Sequence, residues 1–153
     1  MLPKVEICTS EDVSLPFSEE DCLNFLNKAL IRLDFNNWQL SVMFCNNEFI
    51  RDLNHKFRNK DEATDVLSFE NGETFDDDGE ERFLAGDIVI SLEFLQKNAE
   101  EFKVGINEEL KRLLIHGILH LSGMDHATNG EDEEMLIRQE RLLAEFEEVI
   151  IWK

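Results

Sequence analysis

Positive charge is scarce in this chain: 15 Lys and Arg face 34 Asp and Glu, a formal net charge of -19 over 153 residues. A field of that sign repels polyanions at long range, so a nucleic-acid partner must be met by a local basic patch, a bound cation or other contacts. Solubility alone accounts for much of the excess. Cysteine is also rare, and Cys8, Cys22 and Cys45 are odd in number with no short ligand spacing. That disfavours a disulfide framework and suits reduced thiols in the core of a cytosolic protein. Two prolines and seven glycines leave little for linkers. Residues 1–153 are therefore expected to form one domain, large enough to bury roughly 70% of the surface its unfolded chain exposes. A chain of this size needs no metal merely to stay folded. There is no run of about 18 apolar residues, and the first ten residues lack the apolar segment of a signal peptide. The expectation is a cytoplasmic protein without a membrane partner.

What is present reads as interspersed strands and helices. "VEICT" alternates like a strand, and residues 18–33 read as a helix with Ser18 as N-cap and acids in its first turn. Residues 38–45 are strand-like, and "NNEFIRDLNHKF" has helical spacing at Phe49, Ile50, Leu53 and Phe57. A short strand at 64–69 is followed by "ENGETFDDDGEER", read as a solvated loop or hairpin connection, and then a strand at 83–91. Two helices follow, with Ser91 and Asn107 as caps, and residues 131–150 close the chain as an amphipathic helix. The final "VIIWK" is expected to dock on the core. Helices and strands without strict alternation predict an α+β fold, a central mixed β-sheet of about four strands carrying helices.

The chemistry concentrates in "HGILHLSGMDH", residues 116–126, which holds three of the four histidines. His116 and His120, four apart on a helix, are about 40° apart round the axis and roughly 6 Å along it. Gly123 lets the chain leave the helix at positive φ and bring His126 back to the same point. Three imidazole nitrogens suit one zinc ion, and three protein ligands with a fourth position open are the arrangement of catalytic sites. Asp125 is the competing fourth ligand, which would close the site. The same His-x3-His-x5-His spacing occurs in metzincin proteases, but there a glutamate follows the first histidine, where this chain has Gly117. Losing that carboxylate argues against peptide cleavage, while glycine allows close packing against the helix.

Residues 54–70, "NHKFRNKDEATDVLSFE", gather Lys56, Arg58 and Lys60 near Arg51 and His55, the densest basic stretch available. Arg58 lies between a helix and a strand, where a guanidinium can project into a cleft and fork two phosphate oxygens. A surface salt bridge is the plainer reading for any single arginine in so acidic a chain. Thr64, Asp65, Ser68 and Asp87 are turn or strand residues first, although Asp65 or Asp87 could orient a ligand histidine through its second ring nitrogen.

Taken together, "NHKFRNKDEATDVLSF", "GDIVIS" and "HGILHLSGMDH" resemble the YbeY family of ribosomal RNA maturation factors, in order and in approximate spacing. The resemblance implies an α+β fold and a metal-dependent, single-strand-specific endoribonuclease acting at the 3′ end of small-subunit rRNA and in ribosome quality control. It implies that His116, His120 and His126 hold one Zn2+ ion and that Arg58 is catalytic. The implied partners are ribosomal RNA and ribosomal particles, with neither DNA nor membrane. The family commonly has proline where this chain has Ala63 and Glu70, and an aromatic where it has Met124. The acidic run at 76–81 is unusual for an RNA binder. Two other readings fit the same residues: a non-catalytic assembly factor whose metal only fixes the fold, and a metal hydrolase of a small phosphoester or peptide.

Overall fold

Side-chain caps decide where three of the helices begin. The computed structural model describes residues 1–124 and 129–153, and of 129–133 the backbone only. Its elements are β1 (Lys4–Thr9), α1 (Glu19–Arg32), β2 (Trp38–Cys45), α2 (Asn47–Arg58), β3 (Val66–Asp77), β4 (Glu80–Ser91), α3 (Leu92–Phe102), α4 (Ile106–Leu121) and α5 (Asn129–Glu145). Ser18 accepts from the Asp21 N–H at 3.2 Å, Asn46 from the Phe49 N–H at 2.9 Å and Ser91 from the Phe94 N–H at 3.3 Å. Each oxygen satisfies an amide that the first helical turn leaves without a partner.

Asn107 does something else. α4 starts after Gly105 with no side-chain cap, so the expected cap at Asn107 is not formed. Its side chain instead grips the end of the chain: Oδ1 accepts from the Ile151 and Trp152 N–H groups at 2.8 and 3.1 Å, and Nδ2 donates to the Val149 carbonyl at 3.0 Å. Those backbone groups are being buried and need partners. Ile151 and Trp152 join the core, with the Trp152 ring 5.4 Å from Phe17, so the terminal segment docks as expected. α5 ends at Glu145, short of the predicted 150.

The strands form one mixed sheet in the order β1-β2-β4-β3, parallel from β1 to β2 and from β2 to β4, antiparallel between β4 and β3. The stretch predicted as a connection is largely strand. β3 and β4 pair out to Asp77 and Glu80, and the turn is only Asp78 and Gly79, at φ 52° and 87°. Two central residues at positive φ match the twist of a tight hairpin, and Asp-Gly is the sequence that adopts them most readily.

Leu40, Val42, Phe44, Ile88 and Ile90 line the inner sheet face and meet α1, α4 and α5 in the main core. Cys45, Leu67 and Val89 lie in a smaller cluster with Ile50 of α2. All three cysteines are free thiols; burial pushes the Cys22 and Cys45 thiols up to about 12, so neither is reactive near neutral pH. Among the described residues no helix is long and apolar enough to cross a membrane. Replacing Asn107 by Ala strips three hydrogen bonds from a buried tail. It is expected to lower the unfolding free energy by about 1–3 kcal/mol, read as a lower denaturant midpoint together with a red shift of Trp152 fluorescence.

Candidate active site

Helix α4 is apolar on nearly every side. Leu110, Leu113, Leu114, Ile115, Ile118, Leu119 and Leu121 are all buried. A helix of that composition is stable only with protein all round it, and α4 sits between the sheet, α1, α3 and α5. His116 and His120 are half-buried polar side chains toward its C-terminal end, and both line a cleft. Their rings are 4.6 Å apart between centroids, and the two Nε2 atoms approach to 3.0 Å. The one-face geometry expected from their spacing is therefore present. His126 and Asp125 lie outside the described residues. Among the described residues no three His, Cys, Asp or Glu side chains cluster to hold a metal.

Gly117 is required by packing. A Cβ there would lie 2.8 Å from the side chain of Ile88, a fully buried residue of β4. The expectation of close packing against the helix is met, and a glutamate beside His116 has no room. At the other end of the motif Gly123 stands at φ 96°, its N–H donating to the His120 carbonyl at 3.0 Å, so the chain leaves the helix where the sequence indicated.

The histidines open into a cleft of about 810 Å³ that is also lined by Arg58, Lys60, Asp65, Phe69 and Glu70. The two cations come from the end of α2, where basic groups in the last turn also complement the helix dipole. Asn59 ends that helix in the left-handed region at φ 56°, and its N–H donates to the His55 carbonyl. The Lys60 N–H donates to the Asn54 carbonyl, while buried Asn54 sends its own Nδ2 to the Glu62 carbonyl at 2.9 Å. Asn54 thus fastens the turn that carries both cations, a role its position in an amphipathic helix did not reveal.

Arg58 donates through Nη2 to the Ser68 carbonyl at 3.0 Å and stands 6.0 Å from the Phe69 ring centroid. Among the described residues its hydrogen-bond partner is this backbone carbonyl, and no carboxylate lies within ion-pair distance of the guanidinium. Lys56 does not line the cleft, and its Nζ lies 5.5 Å from the ring centroid of Phe57, which does.

The two aspartates expected as candidates to orient a histidine are engaged elsewhere. Asp65 lines the cleft, but its Oδ2 accepts from Asn98 at 3.1 Å and its Oδ1 from the Val66 N–H at 2.7 Å. Asp87 hydrogen-bonds the Ser41 hydroxyl beside β1 and lines a separate groove with Lys4 and Glu6. The group on His116 Nδ1 is Gln139 of α5, whose Oε1 is 2.7 Å away. A signal for it exists in the sequence: Met135, Leu142 and Leu143 mark the buried stripe of α5, and Gln139, four residues after Met135 and three before Leu142, is an uncharged polar residue on that stripe.

Two imidazoles and a guanidinium around one cleft form an arrangement suited to hydrolysis at phosphorus. The comparisons agree. The profile of the family described as Endoribonuclease YbeY matches residues 8–147. The chain is 50% identical to the endoribonuclease YbeY of Treponema denticola over 153 residues, covering 94% of this chain and 99% of that one. It is 49% identical to that of Borreliella afzelii over 123 residues, covering 78% and 81%. A solution structure of a Thermotoga maritima protein superposes with a TM-score of 0.63 at 28% identity, covering 94% of this chain and 90% of that chain. The chain belongs to the endoribonuclease YbeY family, and its activity is in the class of nucleases.

The steric reading of Gly117 is open to test. Gly117→Ala is expected to cost about 1–3 kcal/mol through overpacking, against a gain of about 1 kcal/mol in helix propensity. In a double-mutant cycle the pair Gly117→Ala and Ile88→Ala should be less destabilised than the sum of the single variants, since removing the isoleucine relieves the clash.

Proposed function

We propose that residues 1–153 form one catalytic domain, a zinc-dependent, single-strand-specific endoribonuclease. It acts in the cytoplasm on the 3′ end of small-subunit ribosomal RNA and in ribosome quality control, with ribosomal RNA and ribosomal particles as partners. The observation that carries this reading is the convergence of the His116 and His120 Nε2 atoms, 3.0 Å apart, in the cleft lined by Arg58. Two nitrogens that share a tetrahedral zinc at about 2.0–2.1 Å are separated by roughly 3.3 Å, so a few tenths of an ångström of opening admits the ion. His116, His120 and His126 are the ligands in this reading, and a set of imidazoles without thiolate suits zinc. The cation supplies Lewis acidity, lowering the pKa of bound water and polarising a phosphoryl oxygen.

The protein's own groups do the rest. Arg58 is assigned to the charge that develops on the non-bridging oxygens, where a preorganised donor is most effective. Lys60 adds positive potential next to it, set against Asp65 and Glu70, which line the same cleft. Phe57, 60% exposed on the last turn of α2 and edge-on to Phe69 at 5.6 Å, offers a face on which an unpaired base can stack. Stacking needs no net charge and favours single strands over duplex.

The tests separate binding from chemistry. Arg58→Ala is expected to cut cleavage of single-stranded RNA by a hundredfold or more, on the order of 2.7–4 kcal/mol, with zinc content unchanged by elemental analysis. His120→Ala should lose both. Equal cleavage by the Arg58 variant removes its assigned role, and cleavage of casein or a generic phosphodiester in place of RNA overturns the substrate. Affinity for single-stranded RNA should weaken as salt rises, with Lys60→Ala reducing that dependence.

A further inference from the structure

The contact between Gln139 and His116 has only one consistent direction. Gln139 is 4% exposed, and its side-chain amide touches a second polar group: Nε2 donates to Glu140 Oε2 at 3.2 Å. Glu140 is fixed in turn by Arg112 of α4, which gives Nε to Oε2 at 3.0 Å and Nη2 to Oε1 at 3.1 Å. The remaining arm of Arg112, Nη1, pairs with the buried Glu109 at 3.3 Å. A carboxylate held by a guanidinium fork only accepts hydrogen bonds, so the amide must turn its NH2 toward Glu140. Its carbonyl then faces His116. A carbonyl also only accepts, so the imidazole must carry a proton on Nδ1. In the neutral ring the lone pair is then on Nε2, the atom directed at His120.

We propose that Gln139 is a positioning residue that holds His116 in the Nδ1–H tautomer with the Nε2 lone pair directed into the cleft. The Arg112–Glu140 pair sets the orientation of the Gln139 amide. Through Gln139, helix α5 thereby reaches the site: it fixes ring rotation and proton position in a group on α4. The consequence for metal affinity rests on the reading of His116 as a ligand, since an imidazole binds a cation through its unprotonated nitrogen and the partner on its other nitrogen sets both orientation and basicity. The consequence for the tautomer does not depend on any metal.

Two measurements on the full chain decide the matter. Long-range 15N–1H correlation spectra of metal-free protein should show His116 protonated at Nδ1 and bare at Nε2 in the native sequence and in Gln139→Glu, whose carboxylate also only accepts. Gln139→Leu should populate the other tautomer. Zinc affinity, read by competition with a chromophoric chelator, should fall roughly 10–100-fold in Gln139→Leu and hold or rise in Gln139→Glu. Glu140→Gln does not touch His116, yet it should weaken zinc several-fold by freeing the Gln139 amide to turn round. If Gln139→Leu does not fold, the Glu140→Gln and Gln139→Glu variants carry the test. The proposal is overturned if His116 is protonated at Nε2 in the native protein, or if Glu140→Gln and every folded Gln139 variant keep both tautomer and affinity. Native protein that binds no zinc but shows the Nδ1–H tautomer would refute the metal reading and leave the positioning role standing.

Discussion

Everything at the site hangs on one buried helix. Enclosure of α4 by the sheet and three other helices removes its freedom to roll, so the direction of His116 and His120 is set by apolar packing on the opposite side. Burial of each leucine or isoleucine contributes about 1.5–3 kcal/mol relative to exposure, and any rotation of the helix would expose several of them at once. The two imidazoles are the polar side chains of the second half of the helix, His116–Leu121, whose other large side chains are committed to the core. Rigidity of that kind is what a constellation of a few side chains needs if it is to keep its geometry without help from a ligand.

The cationic side of the cleft is held differently. Arg58 and Lys60 stand at a helix end and in the turn after it, where the chain is secured by the left-handed Asn59 and by the side chain of Asn54. Asp65 across the cleft is held by Asn98 of α3. Buried asparagines therefore fasten the irregular segments, while leucines and isoleucines fasten the regular ones. Chain that leaves helix or strand still has to satisfy its amides and carbonyls, and a side-chain amide with both donor and acceptor does so at short range.

Much of this was legible from sequence because it depends on local spacing. The caps Ser18 and Ser91, the helical stripe of α1, the strand β2 and the helix exit at Gly123 follow from periodicity or from backbone preference within a few residues. What escaped depends on partners far along the chain. Asn107 looked like a helix cap because its neighbours are helical; it serves a tail more than forty residues on, and nothing nearby in sequence shows that. Gln139 is 23 residues from the imidazole it touches and was overlooked for the same reason. The hairpin was half legible: acids and glycines were read as a solvated loop or a hairpin connection, and Asp78-Gly79, the dipeptide that closes a tight turn between paired strands, decides for the hairpin. Composition left both readings open there, and the local turn signal separates them.

The length of that hairpin bears on how the molecule meets copies of itself. β3 is an outermost strand of the sheet, and twelve residues with one unpaired edge would be an invitation to add further strands. Glu70, Glu73, Asp76 and Asp77 lie along it, so a second copy aligning there would bring like charges into register. The acidity that makes the chain an unusual partner for RNA also serves as a guard rail against sheet-to-sheet aggregation.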